Sequence, residues 1–344
     1  MLRLLYRFHG RPVYEVGRPI PLVGHISFGI IDRGTNVVQV RPSTVCPHSC
    51  IFCSVDAGPR PWYRSSEYMV NPGWLAAWLR EVVRVKGGGV EVLLDGMGEP
   101  LTHPRITEII RRAKETRGVE RVAVETHGGF LSKSLARELE RSGLDRINLS
   151  IDAVSPKLAS RLVGAAWYDP SRILRIAEWI VENTGIDVVL TPVVVPGLNE
   201  GEIIGLIEWA KRVRAGAKSG WPTGVLIQKY ESHRWGRKIP GIRPWSWDRF
   251  YKWLAGLEAR TGYKLLVEPE DLGFKKKPSL EKPYRAGEKV KLVILGDGLR
   301  KGELLAMDIK ATRSFTYLSK EPLSPGKIVV ARIVRDKDNI YLAR

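Results

Sequence analysis

The sequence predicts an α/β protein, a parallel sheet of six strands alternating with helices, followed by a small all-β barrel. Three observations predict it. Between about residues 35 and 267, short valine-rich runs alternate with stretches of helical spacing, which implies right-handed βαβ units and a parallel sheet. Beyond about residue 280, short strands broken by Gly and Pro follow one another with no helix between them, the pattern of a small barrel. Finally, all three cysteines stand between Cys46 and Cys53, directly after the first strand, at the carboxyl end where parallel α/β folds place chemistry.

Residues 1–34 carry scattered Pro and Gly with short apolar runs such as Ile20–Val23, and read as a covering segment of hairpin or loop. Thr35–Arg41 alternates and is rich in valine, so it is the expected first strand. Helical spacing then predicts Trp74–Val85, Arg105–Lys114, Lys133–Arg141, Pro170–Asn183 and Glu200–Val213. The intervening strands are expected at Val90–Leu94, Arg121–Glu125, Arg146–Ile151, Asp187–Val194 and Gly224–Gln228. A helix at Trp247–Arg260 and a strand at Tyr263–Val267 complete a main domain over 35–270. Gly273, Lys275–Lys277 and Pro278 mark 271–282 as a basic linker. The barrel then occupies 283–344, with strands expected at Glu288–Ile294, Leu304–Ile309, Ser314–Leu318, Lys327–Val334 and Asn339–Leu342.

With 344 residues and 44% hydrophobic content, the chain can bury a substantial core. No apolar run approaches the roughly 20 residues a membrane span needs, and Arg3, Arg7 and His9 interrupt the apolar start, so neither a span nor a signal peptide is expected. The cytoplasm is the expected compartment, with no membrane partner. Lys and Arg total 55 against 37 acidic residues, a formal charge of +18, which points to a polyanionic partner. The alternative is a solvated basic surface.

Cys46-Pro-His-Ser-Cys50-Ile-Phe-Cys53 places three thiolates on one loop, enough to hold three irons of a cubane and leave the fourth open to a small chelating molecule. A zinc site is the competing reading, but zinc needs a fourth protein ligand, and His48 is squeezed inside the loop. This spacing, with Phe52 before the last cysteine, resembles the radical SAM superfamily. The resemblance implies a partial (β/α)6 TIM-like barrel over about Thr35–Val267 and a [4Fe-4S] cluster on Cys46, Cys50 and Cys53. It also implies S-adenosyl-L-methionine as the molecule on the open iron, a ferredoxin-like electron donor, and a 5'-deoxyadenosyl radical as the product of reductive cleavage. Phe52 counts among its cofactor-binding residues.

The superfamily's other marks follow in order. Asp95-Gly96-Met97-Gly98-Glu99-Pro100 has glycines that let the backbone approach a ligand and a carboxylate that can accept from an ammonium group. It is similar to the GGEP motif, which implies that Gly96, Gly98, Glu99 and Pro100 hold the methionine amino group; Met97 separates the glycines. Glu125-Thr126-His127-Gly128 resembles the ETNG segment, implying a supporting contact from Thr126, with His127 where asparagine is common. Alternation puts Asn148, Ser150 and Asp152 on one face, where they could bond ribose hydroxyls, as in the SxD pattern. Val195-Pro-Gly197-Leu-Asn-Glu200 resembles the latter part of the superfamily's GxIxGxxE motif, which implies that Val195 touches adenine; Val193 stands where the first glycine of that motif would be.

Gln228 to Lys238 mixes cationic, aromatic and hydrogen-bonding side chains, and is the expected substrate-facing element. Arg234, Arg237 and Lys238 could neutralise phosphates, and Tyr230 or Trp235 could stack on a base. Tyr230, His233 and Arg237 are the catalytic candidates. Arg60-Pro-Trp-Tyr-Arg64 is a second such run. The C-terminal layout, with Gly287 and Pro325-Gly326 opening valine-rich strands, resembles the TRAM domain of tRNA-modifying enzymes. With every cysteine assigned, a second cluster is excluded. The expected function is radical chemistry on a nucleoside of RNA, with tRNA as partner. The alternatives are cofactor or peptide maturation, with the small barrel on a protein partner, and a non-enzymatic iron-sulfur sensor that binds nucleic acid.

Overall fold

A computed structural model describes residues 2–319 and 321–344. In chain order, β1 (Arg3–Phe8) and β2 (Arg11–Val16) form a hairpin, followed by β3 (Gly29–Asp32), β4 (Val37–Arg41) and β5 (Glu67–Val70). Then come α1 (Pro72–Lys86), β6 (Val90–Leu94), α2 (Ile106–Lys114), β7 (Val119–Thr126), α3 (Lys133–Arg141) and β8 (Arg146–Leu149). Next are α4 (Pro156–Val163), α5 (Pro170–Asn183), β9 (Asp187–Leu190), β10 (Val193–Val194), α6 (Glu202–Val213), β11 (Gln228–Lys229) and α7 (Trp247–Thr261). The last five strands are β12 (Lys289–Asp297), β13 (Glu303–Asp308), β14 (Ser314–Leu318), β15 (Ile328–Arg335) and β16 (Tyr341–Ala343).

Local chemistry sets the helix ends. The Asn71 side chain accepts from Trp74 N ahead of Pro72, and α1 stops at Gly87 with φ 72°. Asp169 caps α5 through Arg172 N ahead of Pro170. Ser246 and Gly262 bracket α7 in the same way.

The main sheet has the order β3-β4-β6-β7-β8-β9, with β4–β6, β7–β8 and β8–β9 parallel and β3 antiparallel to β4. Strands β8 and β9 are buried along their whole length, as expected where helices cover both faces. The expected sixth parallel strand is only partly formed. Leu190 N donates to Gly224 O, Leu226 N to Leu190 O, Gln228 N to Pro192 O and Tyr230 N to Val194 O, at 2.7–3.1 Å. Pro192 has no N–H to return to this ladder, so Asp187–Val194 divides into β9 and β10, and only Gln228–Lys229 is a regular strand. The sixth strand of the main sheet is instead β3, from the segment expected to be a cover. Tyr263–Val267 is not a strand: Glu258 Oε2 accepts from Leu265 N and Leu266 N at 2.7 and 2.8 Å, and so takes the bonds a sheet would have supplied.

The chain divides into two compact units. The first comprises Met1–Cys46, Pro59–Glu120 and Lys276–Arg344. Here β2 pairs with β1 and, in parallel, with β5, and the last five strands close a barrel in the order β12-β13-β14-β16-β15. Leu292, Ile294, Ala306, Phe315, Ile333 and Tyr341 fill its core. The barrel is bonded to the N-terminal segment, with Ser314 N donating to Val23 O and Tyr341 N to Gly24 O at 2.9 and 2.8 Å. It is also bonded to the 62–68 stretch, where Ser66 Oγ and Tyr68 Oη donate to Gly298 O and Asp297 O. The stretch from Lys276 on, expected as part of a linker, is tied down. Lys277 N donates to Gly34 O, and Asp32 takes both Leu280 N and the buried Lys86 ammonium, the latter at 2.6 Å.

The second unit comprises Pro47–Gly58 and Arg121–Lys275 and contains β7 through α7 apart from the first residues of β7.

Candidate functional site

Cys46 and Cys50 are buried and Cys53 is half-buried. In the second unit, the loop from Pro47 is stitched to the end of α4: Ser49 N donates to Val163 O and Ile51 N to Leu162 O. Gly164 ends α4 in the left-handed region, so close to Ser49 that a β-carbon would overlap the Ser49 carbonyl. Helix α4, absent from the sequence expectation, therefore backs the cysteine loop. Cys53 Sγ accepts from Ala57 N at 3.2 Å, and Cys50 Sγ faces His127 Nε2 at 3.5 Å. Phe52 is buried.

Arg237 is turned onto this loop. Its backbone N–H donates to Cys53 O at 2.8 Å, and its guanidinium donates to Cys50 O at 3.0 Å and to Ala57 O. The same guanidinium pairs with buried Asp56 at 3.2 Å. This corrects the expectation that Arg237 meets phosphates. Tyr230 needs the same correction as a stacking surface: it is fully buried, and its hydroxyl accepts from Ile239 N. The chain after β11 folds back and spends these two side chains on itself. His233, Arg234, Trp235 and Lys238 do face solvent, with Arg234 over the Trp235 ring at 4.7 Å.

His127 Nδ1 donates to Ser150 O at 2.9 Å, which puts its proton on Nδ1 and makes Nε2 the acceptor that faces Cys50. Burial holds its pKa down at about 4. Tyr168 Oη donates to His127 O, and Thr126 Oγ1 accepts from Gly128 N, so Thr126, His127, Ser150 and Cys50 are brought together. Asn148 is not among them, because its Oδ1 accepts from Arg146 Nε at 2.9 Å. Strand β8 ends at Leu149, so Ser150 and Asp152 lie beyond the regular alternation. Asp152 Oδ1 accepts from Val193 N at 2.8 Å, while Oδ2 is buried without a hydrogen-bond partner. Burial pushes this carboxyl up to about 7. Asn199 ties the neighbourhood together, donating to Asp152 O and Val193 O and accepting from Val195 N. Val195 itself is fully buried.

Sequence reasoning missed Trp167. It is 52% exposed, its ring lies 5.3 Å from that of His48, and a β-carbon on Gly129 would meet both side chains. A single tryptophan in the short turn between α4 and α5 carries no periodic signal.

In the first unit, Glu99 is buried and its carboxylate accepts from Leu101 N at 3.1 Å, capping the turn that Pro100 opens. Glu99 N donates to Val45 O at 2.9 Å. Gly96 and Gly98, expected to let the backbone approach a ligand, also stand close against the chain itself. A β-carbon on Gly96 would stand 3.1 Å from Ser43 O, and one on Gly98 would stand 2.5 Å from Val45 O. Arg64 is buried too, donating to Thr44 O and Met97 O and pairing with Glu67 at 2.8 Å, whereas Trp62 and Arg60 of the same run are exposed.

Residues 40–210 match the family model of the Radical SAM superfamily. The chain belongs to the radical SAM superfamily. The chain is 33% identical to the uncharacterized protein MJ0103 of Methanocaldococcus jannaschii over 97% of its own length and 80% of that protein. It is 26% identical to the GTP 3',8-cyclase of Nautilia profundicola over 62% of this chain and 61% of the cyclase. It is 31% identical to that of Limosilactobacillus fermentum over 52% of each. The chain thus spans about half to three fifths of these cyclases. In fold it is similar to the FeFe-hydrogenase maturase HydG from Carboxydothermus hydrogenoformans, with TM-score 0.52 and 19% identity over 69% of this chain and 55% of that one. This radical SAM enzyme therefore has the TIM-like partial barrel, mixed α/β, with a closed five-stranded barrel at its C-terminus. Among the described residues, no helix is long and apolar enough to cross a membrane.

Proposed function

We propose that this radical SAM enzyme holds a [4Fe-4S] cluster on Cys46, Cys50 and Cys53 and acts on a nucleoside of RNA, with tRNA as the carrier. When bound, the cluster would supply the electron, drawn from a ferredoxin-like donor, for reductive cleavage of S-adenosylmethionine to methionine and a 5'-deoxyadenosyl radical. The donor set supports this reading, since a cubane takes one thiolate per iron and three thiols leave one iron for the amino and carboxylate groups of the ligand. A single zinc ion would instead need a fourth protein ligand to close its tetrahedral shell, and the loop supplies three thiols. Glu99 is proposed to receive the methionine ammonium, Thr126 to support its carboxylate, and the unpartnered Asp152 Oδ2 to accept from a ribose hydroxyl.

The observation that carries the RNA reading is on the small barrel. Lys289 lies opposite Arg332 across the β12–β15 pair, with Lys291 next along the same outward face. Three cations on one exposed ribbon of a chain with charge +18 suit a phosphate backbone. The closed barrel is also consistent with the TRAM resemblance. A second reading, cofactor or peptide maturation with the small barrel on a protein partner, is favoured by the exposed Ile328 and Val330 on that same ribbon and is compatible with the similarity to GTP 3',8-cyclases. Mass spectrometry of tRNA nucleosides from a strain lacking the gene separates the two. Loss of one modified nucleoside supports the first reading; an unaltered profile, with no salt-dependent tRNA binding, supports the second.

A further inference from the structure

We infer that Arg237 is a positioning residue of the cysteine loop, holding its backbone in the course that presents the thiols to iron and easing reduction of the cluster by its charge. The inference rests on the cluster reading above. Every partner of Arg237 named above lies within Pro47–Gly58: Cys50 O at 3.0 Å, Cys53 O at 2.8 Å, Ala57 O, and the Asp56 carboxylate at 3.2 Å. One planar guanidinium thus ties two carbonyls and a carboxylate that are up to seven residues apart on the loop, a task that a point charge cannot perform.

Gly236 is an independent observation. A β-carbon there would stand 2.8 Å from the carbonyl oxygens of both Cys53 and Ser54, so residues 236 and 237 are pressed against the loop at a distance only glycine allows. The loop itself needs holding, because Asp56 and Gly58 both take positive φ, 51° and 124°. Reducing a cubane adds negative charge, and a fixed cation on the carbonyl of one of its cysteines stabilises the reduced form more than the oxidised one.

The test reconstitutes the wild type, Arg237→Gln and Arg237→Lys with iron and sulfide under anaerobic conditions. Iron per chain, the rate of iron loss to a chelator, the midpoint potential and the melting temperature before iron loading are measured for each. Arg237→Gln should lose iron about tenfold faster and have a lower potential. Arg237→Lys, keeping the charge but not the fork, should stay near the wild-type potential while losing iron faster than wild type. A role in folding alone would shift the melting temperature and leave the potential of the loaded protein unchanged. Wild-type potential and iron retention in both variants overturn the inference. A wild-type chain that takes up no iron overturns the cluster reading instead, which is a distinguishable result.

Discussion

Gly98 lies against the Thr44–Val45 peptide so closely that a β-carbon would stand 2.5 Å from the Val45 carbonyl oxygen. The adjacent Glu99 N–H donates to that same oxygen. The glycine is therefore required by the chain that precedes the cysteines. Gly98→Ala should destabilise the fold by roughly 1–3 kcal/mol, as overpacking against immobile backbone does. Urea unfolding of the unloaded protein measures it; an unchanged midpoint means that the strand and the turn are not in this register.

Asp152 should make stability fall with rising pH. Its folded pKa, about 7, lies above the unfolded value near 4. The folded state thus holds a proton that the unfolded state releases, a stabilisation fully present below about pH 4 and lost as pH rises through 7. Asp152→Asn, which stays neutral, should remove that dependence and gain on the order of 3 kcal/mol relative to wild type at pH 8. Parallel stability curves for the two proteins between pH 4 and 8 would refute the assignment.

His103 works in the opposite direction. Its Nε2–H donates to Val70 O at 3.0 Å, its Nδ1 accepts from Arg105 N, and burial lowers its pKa to about 4. The unfolded state takes up the proton first, so the stability present above about pH 6.5 is lost as pH falls toward 4. His103→Gln should reduce the slope of stability against pH in that window by about one proton. His25, held down at about 3 mainly by burial, leaves a second such slope in place.

The small barrel is bonded to residues 21–24 and 62–68, so cutting it away would strip its partners as well as remove a surface. Charge reversal is the cleaner experiment. Lys289→Glu, Lys291→Glu and Arg332→Glu together should lower the log–log salt slope of tRNA binding by about 2–3 and leave the melting temperature within a few degrees. An unaltered slope removes this ribbon from the interface.

Helix α5 was legible to the residue, because Asp169-Pro170 marks its start and an apolar stripe runs the length of the helix. The barrel strands were legible to within three residues at each end, and Ser314–Leu318 to the residue, since Gly and Pro punctuate them. The broken strand at Pro192 was not, because its neighbour's bonding needs had to be known first. The fates of Arg237 and Tyr230 were also hidden. A basic and aromatic run looks the same whether it meets a phosphate or a carbonyl 180 or more residues earlier in its own chain, as Arg237 does. The cysteine spacing was legible, whereas α4, which backs it, carries only eight residues of helical pattern.

The central claim is that the three cysteines hold a cluster which cleaves S-adenosylmethionine. The direct measurement is 5'-deoxyadenosine formed by the anaerobically reconstituted protein under dithionite, alongside Cys50→Ala. The wild type should bind about four irons and release 5'-deoxyadenosine with methionine, and the variant should release neither. A wild-type protein that purifies with stoichiometric zinc and forms no 5'-deoxyadenosine would contradict the account.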